Sequence, residues 1–322
     1  MVKIRLLLFG ILGLLPLEII GKECRNCHQE IRGRYIESAG REYCSQRCFL
    51  ETLPKCSACG EPCRQMYTVQ NRKFCSKRCI RQIFRCDVCR AGLENIVMIS
   101  NTFGREIMCC QHCRSLPQCY YCAMPDNHPA LPDGRYICRD CRRSAVIDRQ
   151  EIRRIFDRLR SELAQIYGYD KNHHIELHVV DLRELQQLSA SEPQPGQMGL
   201  MCYHKKEHIR RDERGENRVV IEEKCRIYVL SSMPRAVLIN TLVHELTHDY
   251  IRHNIGDVRD KVSEEGFCEL IASLFNQRIG NDILNRSKEA SADPVYGGGY
   301  RKMRTIYHRN NRSFQRTLRF VR

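Results

Sequence analysis

The sequence has no tryptophan, few aromatic residues of any kind, and no uninterrupted apolar run of the ~20 residues that a membrane-spanning helix needs. Aromatic residues make up 7% of the 322 residues, and the mean hydropathy is −0.48. These values exclude a protein with several membrane spans, and the composition is not that of a disordered or collagen-like chain. Since 42% of the residues are hydrophobic, the chain can bury a soluble core, and its length indicates about two domains.

Acidic residues are also in short supply, with 38 Asp and Glu against 53 Lys and Arg and a formal net charge of +15. Part of the excess lies in residues 302–322, which we interpret as a basic C-terminal tail. Residues 24–143 have a charge of +9, but sixteen thiolates with four Zn²⁺ ions would reduce this to about +1. Because this segment then lacks a basic face, we expect protein partners and do not expect nucleic-acid binding.

The N-terminus has the pattern of a targeting segment. Lys3 and Arg5 precede a mostly apolar stretch from Leu6 to Ile20. A basic start followed by about 15 apolar residues is typical of a secretory signal and is short for a spanning helix. We therefore predict a signal peptide or N-terminal anchor at residues 1–21, a membrane contact through it, and an exported or membrane-anchored protein. The alternatives are a buried N-terminal helix and a cytoplasmic protein.

Cysteine is abundant: the chain has 21, and sixteen of them recur in four units with a period of about 31 residues. Each unit contains a Cys-x2-Cys pair and, fifteen to twenty residues later, a second pair. The candidate ligands are Cys24, Cys27, Cys44 and Cys48 in the first unit, Cys56, Cys59, Cys75 and Cys79 in the second, Cys86, Cys89, Cys110 and Cys113 in the third, and Cys119, Cys122, Cys138 and Cys141 in the fourth. In the third unit, Cys109 can replace Cys110.

The cysteine spacing predicts zinc fingers. A Cys-x2-Cys turn presents two thiolates, and a second pair at a hairpin end or helix start closes the tetrahedron that Zn²⁺ accepts. Residues 43–48 and 74–79 are near copies, and a strand followed by a helix is typical of treble-clef fingers. We predict a string of four single-zinc fingers over residues 22–143, each too small to fold without metal. Disulfides are the alternative, although five cysteines are left over.

The C-terminal half mixes helices and strands. Residues 144–170 have apolar side chains at helical spacing, which predicts an amphipathic helix that links the fingers to the next domain. Strands are predicted at residues 175–182 and 218–230, and a helix begins near Arg235. We therefore assign residues 171–301 to one domain and the fold to the α+β class.

The helix near Arg235 contains the pattern His-Glu-Leu-Thr-His at residues 244–248. This spacing places His244 and His248 one turn apart on one face, where they can bind one ion, with Glu245 beside them. The helix is apolar and therefore buried, and two unpaired buried histidines would be costly. A catalytic zinc also needs a third protein ligand, for which adjacent acids sixteen and seventeen residues later, Glu264 and Glu265, are candidates.

Four stretches resemble a known family. They are Gln-Met-Gly-Leu-Met-Cys at 197–202, Leu-Val-His-Glu-Leu-Thr-His at 242–248, Glu-Glu-Gly-Phe-Cys at 264–268 and Asp-Pro-Val-Tyr-Gly-Gly-Gly-Tyr-Arg at 293–301. Together these resemble the DA-one-like peptidases, described mainly from plants as LIM-containing regulators of organ growth. The resemblance implies a gluzincin-like metallopeptidase domain preceded by an array of four small treble-clef or LIM-like zinc fingers.

The resemblance also implies roles for the site residues. His244, His248 and Glu265 would hold a catalytic Zn²⁺, with Glu265 preferred to Glu264 because the family's ligand immediately precedes a glycine. Zinc lowers the pKa of its water to ~7 and polarises the scissile carbonyl. Glu245 would take the proton of that water and deliver it to the leaving amine.

Three further residues are candidates for supporting roles. Glu269 could orient a ligand imidazole or form a surface salt bridge. Tyr296 or Tyr300, on either side of the glycines at 297–299, could donate to the oxyanion or pack as an ordinary core tyrosine. The strand Arg226–Leu230 is the edge on which we expect an extended substrate to add.

The predicted function is that of a zinc-dependent endopeptidase acting on protein substrates, with zinc fingers as protein-binding modules. It requires one catalytic and about four structural zinc ions. The alternative is a zinc-finger adaptor with a catalytically silent peptidase-like domain.

Overall fold

The computed structural model describes residues 5–8, 22–170, 173–189, 196–211 and 217–321. The chain divides into two compact units. The finger unit comprises Met1–Ile99 and Glu106–Ser115, and the α+β unit comprises Ser100–Arg105 and Leu116–Arg322. The predicted mixture of cysteine clusters, helices and strands is confirmed.

The finger unit repeats one small motif, a cysteine turn followed by a two-stranded hairpin and a short helix. Its elements are β1 (Arg5–Leu8), β2 (Ile36–Ser38), β3 (Arg41–Tyr43), α1 (Gln46–Glu51), β4 (Gln65–Val69), β5 (Arg72–Phe74), α2 (Lys77–Ile83), β6 (Val97–Ser100), β7 (Glu106–Cys109) and α3 (Gln111–Arg114). Serine starts two of the helices, because the Ser45 and Ser76 hydroxyls accept hydrogen bonds from the backbone N–H of Cys48 and Cys79. The second pair of cysteines in these fingers therefore lies at a capped helix start.

The cysteine turns are closed by a residue in the left-handed region. In the second finger this residue is Gly60, with φ of 77°, and its N–H donates to the Cys56 carbonyl at 2.9 Å. His28 and Arg90 occupy the same place in the first and third fingers. The positive φ bends the chain back so that both thiols of the Cys-x2-Cys pair point to one side.

The predicted localisation, exported or membrane-anchored through residues 1–21, is wrong for the part of that segment that the structure describes. Arg5–Leu8 is a strand that pairs antiparallel with β4, so this part of the apolar stretch extends a finger's hairpin. Within the described ranges, no helix is both long and apolar enough to cross a membrane. Residues 1–4 and 9–21 lie outside the described residues.

The α+β unit has a three-stranded sheet covered by helices. Its elements are α4 (Arg139–Arg143), β8 (Ala145–Val146), α5 (Arg149–Tyr167), β9 (Ile175–Val180), α6 (Leu182–Leu188), β10 (Gly199–Arg211), β11 (Asn217–Leu230), β12 (Met233–Pro234), α7 (Arg235–Asn254), α8 (Lys261–Arg278), α9 (Ile283–Ala290), α10 (Tyr296–Arg309) and α11 (Phe314–Leu318). The strand order is β10-β11-β9, with β10 antiparallel and β9 parallel to β11. The expected substrate edge, Arg226–Leu230, is therefore not an edge, since Ile227 pairs with both Met201 and Leu177.

Helices α7 and α8 form the centre of the unit. Leu238, Leu242 and Leu246 of α7 are fully buried. Helix α10 crosses α8 very closely, because a Cβ added to Gly266 would lie 2.3 Å from the carbonyl carbon of Gly299. Burial of these apolar faces positions the polar residues of α7 and α8 against each other.

Two regions differ from the predicted boundaries. The fourth finger belongs to the α+β unit rather than to a separate array, and the predicted linking helix, α5, packs against α7 within the same unit. Residues 302–322 do not form a separate tail in their described part: Leu318 and Val321 are buried, and the Phe314 ring lies 5.3 Å from that of Phe267. The high proportion of basic side chains in this segment favoured the prediction of a tail, whereas its apolar residues anchor it in the unit.

Candidate metal sites

The structure gathers the sixteen predicted cysteines into four groups of four. Within the groups, neighbouring Sγ atoms lie 3.4–3.9 Å apart, for example 3.6 Å between Cys27 and Cys44 and 3.6 Å between Cys122 and Cys138. A tetrahedron of thiolates at the usual Zn–S distance of ~2.3 Å has edges of about 3.8 Å. The groups therefore fit zinc, and no disulfide joins cysteines in the described part of the chain.

Backbone donors favour the thiolate form of one cysteine in each of the first three groups. Burial alone would raise the pKa of a thiol, but N–H groups of the cysteine turns lower the pKa of Cys24, Cys56 and Cys86 to about 6. In the third finger Cys110, and not Cys109, joins the group. Cys109 is fully buried outside it, where desolvation raises the pKa of its thiol to about 12.

A different cluster lies between α7 and α8. His244 and His248 project from successive turns of α7, and their Nε2 atoms are 3.2 Å apart. The Glu265 Oε2 atom, from α8, lies 3.1 Å from His244 Nε2 and 3.5 Å from His248 Nε2. The sequence left Glu264 and Glu265 as competing candidates, and the structure places Glu265 between the two imidazoles.

The donor set of this cluster fits a zinc ion. Ligand atoms at ~2.0–2.1 Å from a tetrahedral zinc are about 3.3 Å from one another, which is close to the three observed separations. Without a metal ion, two imidazole nitrogens and one carboxylate oxygen, each an acceptor or a charged group, would face the same point and crowd one another in the protein interior. His244 and Glu265 are each 8% exposed, so water cannot relieve that crowding.

The outer nitrogens of the two imidazoles also face carboxylates. Glu264 Oε1 lies 3.0 Å from His248 Nδ1, and Glu269 Oε1 lies 3.2 Å from His244 Nδ1. Glu269 in turn pairs with Lys288 at 2.7 Å; burial would raise the pKa of Glu269, but Lys288 and His244 lower it to about 2. The Glu264 contact is a hydrogen bond, whereas the Glu269 contact is an ion pair at 3.2 Å, and carboxylates in these positions orient ligand imidazoles.

Glu245 lies beside the cluster and not within it. The residue is 6% exposed and lines a cavity of about 480 Å³ together with His244, His248 and Tyr296. Burial raises the pKa of the Glu245 carboxyl, although the two histidines oppose that shift. A raised pKa moves this carboxyl towards the range in which a group can accept and return a proton at neutral pH.

The opposite wall of the cavity is the start of β10. Gly199 approaches α7 so closely that a Cβ there would lie 2.7 Å from Glu245 Oε1 and 2.7 Å from Thr241 Cγ2. On its other side β10 has no partner among the described strands, so its backbone groups border the cavity. The sequence predicted neither this strand nor its position at the edge.

The two candidate tyrosines lie in different surroundings. Tyr296 lines the cavity, and its ring centroid is 6.4 Å from that of His244. Tyr300 is 3% exposed and its hydroxyl hydrogen-bonds to Ser273 at 3.0 Å, within the core and away from the cavity-lining residues. Of the pair, only Tyr296 could reach a substrate in the cavity.

Sequence reasoning missed two groups near the site. Cys268, fully buried on α8, lies close enough to His244 and His248 to be counted with them as a possible ligand set. Asp249, also fully buried, accepts hydrogen bonds from the Tyr169 hydroxyl and from His173 Nε2, each at 2.7 Å. The Glu-Glu-Gly-Phe-Cys motif contains the first, whereas the partners of Asp249 are too distant in sequence to be recognised.

Comparison with known proteins gives distant but extensive similarities. The chain is 26% identical to LIM domain-containing protein HDR3 of Oryza sativa subsp. japonica over 311 residues, covering 85% of this chain and 59% of that protein. It is 26% identical to Protein DA1-related 1 of Arabidopsis thaliana over 313 residues, covering 84% and 55% respectively. Over 101 residues it is 29% identical to Thyroid receptor-interacting protein 6 of Mus musculus, covering 31% and 20%.

These similarities relate the chain to DA1-like LIM proteins. Together with the four cysteine groups, they support the identification of the chain as a zinc-finger protein. The chain spans less than two thirds of the length of HDR3 and of DA1-related 1. No protein-family model matches the chain, and no solved structure matches it.

Proposed function

We propose that this zinc-finger protein is a zinc-dependent endopeptidase and that its α+β unit hydrolyses peptide bonds of protein substrates. One observation supports the proposal most strongly. Three ligand atoms, of His244, His248 and Glu265, lie 3.1–3.5 Å apart at the wall of a cavity that Glu245 also lines. A carboxylate beside the ligands, and not among them, is the arrangement that general-base hydrolysis requires.

Each residue then has a separate task. Zinc bound by His244, His248 and Glu265 would supply the Lewis acidity that hydrolysis by water needs at neutral pH. The Glu245 carboxylate accepts a proton from the attacking water and returns it to the amine nitrogen that leaves. The Tyr296 hydroxyl, in the same cavity, donates to the carbonyl oxygen as negative charge develops on it.

The shape of the site favours an extended peptide as substrate. β10 is an edge strand among those described, and an extended chain can pair with such an edge through main-chain hydrogen bonds. The cavity of about 480 Å³ beside it has the size of a site for a few side chains. Recognition through the backbone would tolerate many sequences, as expected for a peptidase that acts on unfolded segments.

The experiment is cleavage of a reduced and alkylated, unfolded protein by the full chain and by Glu245→Gln. The amide keeps the shape of the side chain but cannot accept the proton, so we expect a loss of about 100-fold or more in rate with unchanged zinc content. Glu289→Gln is the matched control, since Glu289 forms an exposed ion pair with Arg304. Equal cleavage by wild type and Glu245→Gln would refute the proposed mechanism.

A second candidate is an adaptor whose α+β unit binds peptides without cutting them. The comparisons favour it, because the name of HDR3 states a LIM domain, that of Thyroid receptor-interacting protein 6 states a receptor interaction, and none of the three relatives' names states a catalytic activity. In this case the finger unit would bind a protein partner and the β10 edge would hold an extended segment. Binding of the unfolded substrate with no product over days, in zinc-loaded wild type, would establish the adaptor in place of the enzyme.

A further inference from the structure

The two histidines of the cluster are supported unequally. The carboxylate behind His248, Glu264, is 27% exposed in its side chain, whereas Glu269, behind His244, is 15% exposed. Within the described ranges, Glu264 forms no ion pair with a lysine or arginine, but Glu269 pairs with Lys288. Lys288, Glu269 and His244 therefore form a buried chain of three charged or polar groups that ends at His244.

Lys288 makes two contacts with one residue. Its Nζ lies 2.7 Å from Glu269 Oε2 and donates to the Glu269 backbone carbonyl at 3.3 Å. The Lys288 side chain is 9% exposed, and an ammonium so far removed from water is tolerated only when it is paired. Two contacts to the same residue restrict Glu269 to one side-chain orientation, in which Oε1 remains available to His244 Nδ1.

Helix α9 is itself anchored, which fixes the position of Lys288. Leu284 is buried, and the Asn285 side-chain amide donates to the Ser273 carbonyl of α8 at 3.0 Å. The lysine therefore approaches Glu269 from a docked helix and not from a mobile loop.

We propose that Lys288 is a positioning residue of the zinc site: it holds Glu269 within 3.2 Å of His244 Nδ1, and Glu269 keeps His244 Nε2 facing the point that Glu265 Oε2 and His248 Nε2 also face. The inference rests on the proposed metal site but not on peptidase activity. It assigns α9 a part in zinc binding, although no residue of α9 touches the ligand atoms.

The test measures, by chelator competition, how tightly the full chain binds its fifth zinc ion. The variant His244→Ala binds only the four zinc ions of the cysteine groups and so shows which ion is the fifth. Lys288→Met should weaken the fifth site by about 10-fold or more, as removal of partners behind a ligand usually does. Lys288→Arg should restore most of that affinity, because the guanidinium can pair with Glu269. Lys302→Met is the matched control, since Lys302 pairs with the helix-capping Asp260 of α8 and with no carboxylate behind a histidine. It should leave the affinity unchanged.

A double-mutant cycle shows whether Lys288 acts through Glu269. Glu269→Gln alone and Glu269→Gln with Lys288→Met should lose the same affinity, and the double variant serves if Lys288→Met fails to fold, because it leaves neither buried charge unpaired. Independent, additive losses, or a Lys288→Met site as tight as wild type, would overturn the inference while leaving the zinc site intact. A wild-type chain that binds only four zinc ions would overturn the proposed function and this inference together.

Discussion

The first three fingers and the fourth share one cysteine pattern but differ in their surroundings. Each of the first three has an exposed cysteine, Cys27, Cys59 or Cys89, whereas all four cysteines of the fourth are buried. In the fourth finger Arg135 is 2% exposed, pairs with Asp133 at 2.7 Å, and donates to the Ser231 carbonyl at 3.1 Å. The same metal motif therefore serves as a separate module in one unit and as part of the core in the other.

This difference gives the first three fingers and the fourth finger different roles. The Tyr120 hydroxyl of the fourth finger donates to the Gln197 carbonyl at 2.9 Å, and Gln197 lines the candidate catalytic cavity. The fourth finger thus supports the wall of the cavity, and its buried surface is not available to a partner. In the proposed function, the protein-binding role therefore falls to the finger unit.

The largest expected effect comes from removing one zinc ligand in each unit. Cys138→Ser should unfold the α+β unit, because a structural zinc contributes about 10 kcal/mol or more to its fold. Cys44→Ser should lose one zinc of the finger unit and leave α7 and β10 protected. Hydrogen exchange of amides in α7 and β10, with zinc counts on both variants, measures this. Equal loss of protection would remove the distinction between the two kinds of finger.

Breaking the buried ion pair of the fourth finger should have the next largest effect. Arg135→Met leaves the Asp133 carboxylate buried and unpaired, which should cost about 3–5 kcal/mol of unfolding free energy. Arg105→Met is the matched change at an exposed pair with Asp140, where side chains are 63% exposed, and should cost less than ~1 kcal/mol. Urea unfolding of the full chain gives both free energies. Similar costs would show that the buried Arg135–Asp133 pair stabilises the protein no more than the exposed pair does.

The close approach of β10 to α7 predicts a smaller effect located in the site. Gly199→Ala should displace the Glu245 carboxylate and cost about 1–3 kcal/mol, since the added Cβ has no room. Gly298→Ala is the control, because the nearest atom to an added Cβ there is 3.6 Å away. Thermal unfolding and substrate cleavage are the readouts, and unaltered behaviour of Gly199→Ala would mean that this wall moves freely.

The smallest effect is a pH dependence confined to one unit. Among the described ion pairs of the finger unit every side chain is at least 25% exposed, whereas in the α+β unit the side chains of His173 and Asp249 are 20% and 0% exposed. The hydrogen bond that His173 donates to Asp249 raises the pKa of His173, and the pKa of Asp249 is lowered despite its burial. Stabilisation by His173 is therefore complete below the unfolded pKa of ~6.5 and is lost as pH rises through the higher folded value.

The difference in Tm between wild type and His173→Gln should accordingly be largest near pH 6 and should shrink towards pH 9. His28→Gln, at an exposed pair with Glu23 in the finger unit, should shift Tm by a similar amount at every pH. A difference for His173→Gln that grows with pH would contradict the charged pair.

Features set by short sequence separations could be predicted. The cysteine groups depend on a local turn and a capped helix start, and His244 and His248 meet because they are one turn apart on one helix. The choice between Glu264 and Glu265 required the orientation of α8, since adjacent helix positions differ by about 100° and spacing alone does not select one.

Features that depend on distant contacts could not be predicted. The placement of the fourth finger depends on Arg135 and Ser231, which are 96 residues apart. The strand β10 was missed because residues 203–211 are mostly charged or polar and show no clear alternation. Lys288 is an ordinary lysine in the sequence, and only its burial beside Glu269 distinguishes it.

The measurement that most directly tests the account is zinc per chain, by elemental analysis of wild type and His244→Ala. The account predicts five zinc ions in wild type and four in the variant, which would establish four cysteine sites and one site on α7 and α8. Four zinc ions in both proteins would contradict the central claim, because the histidine cluster would then bind no metal.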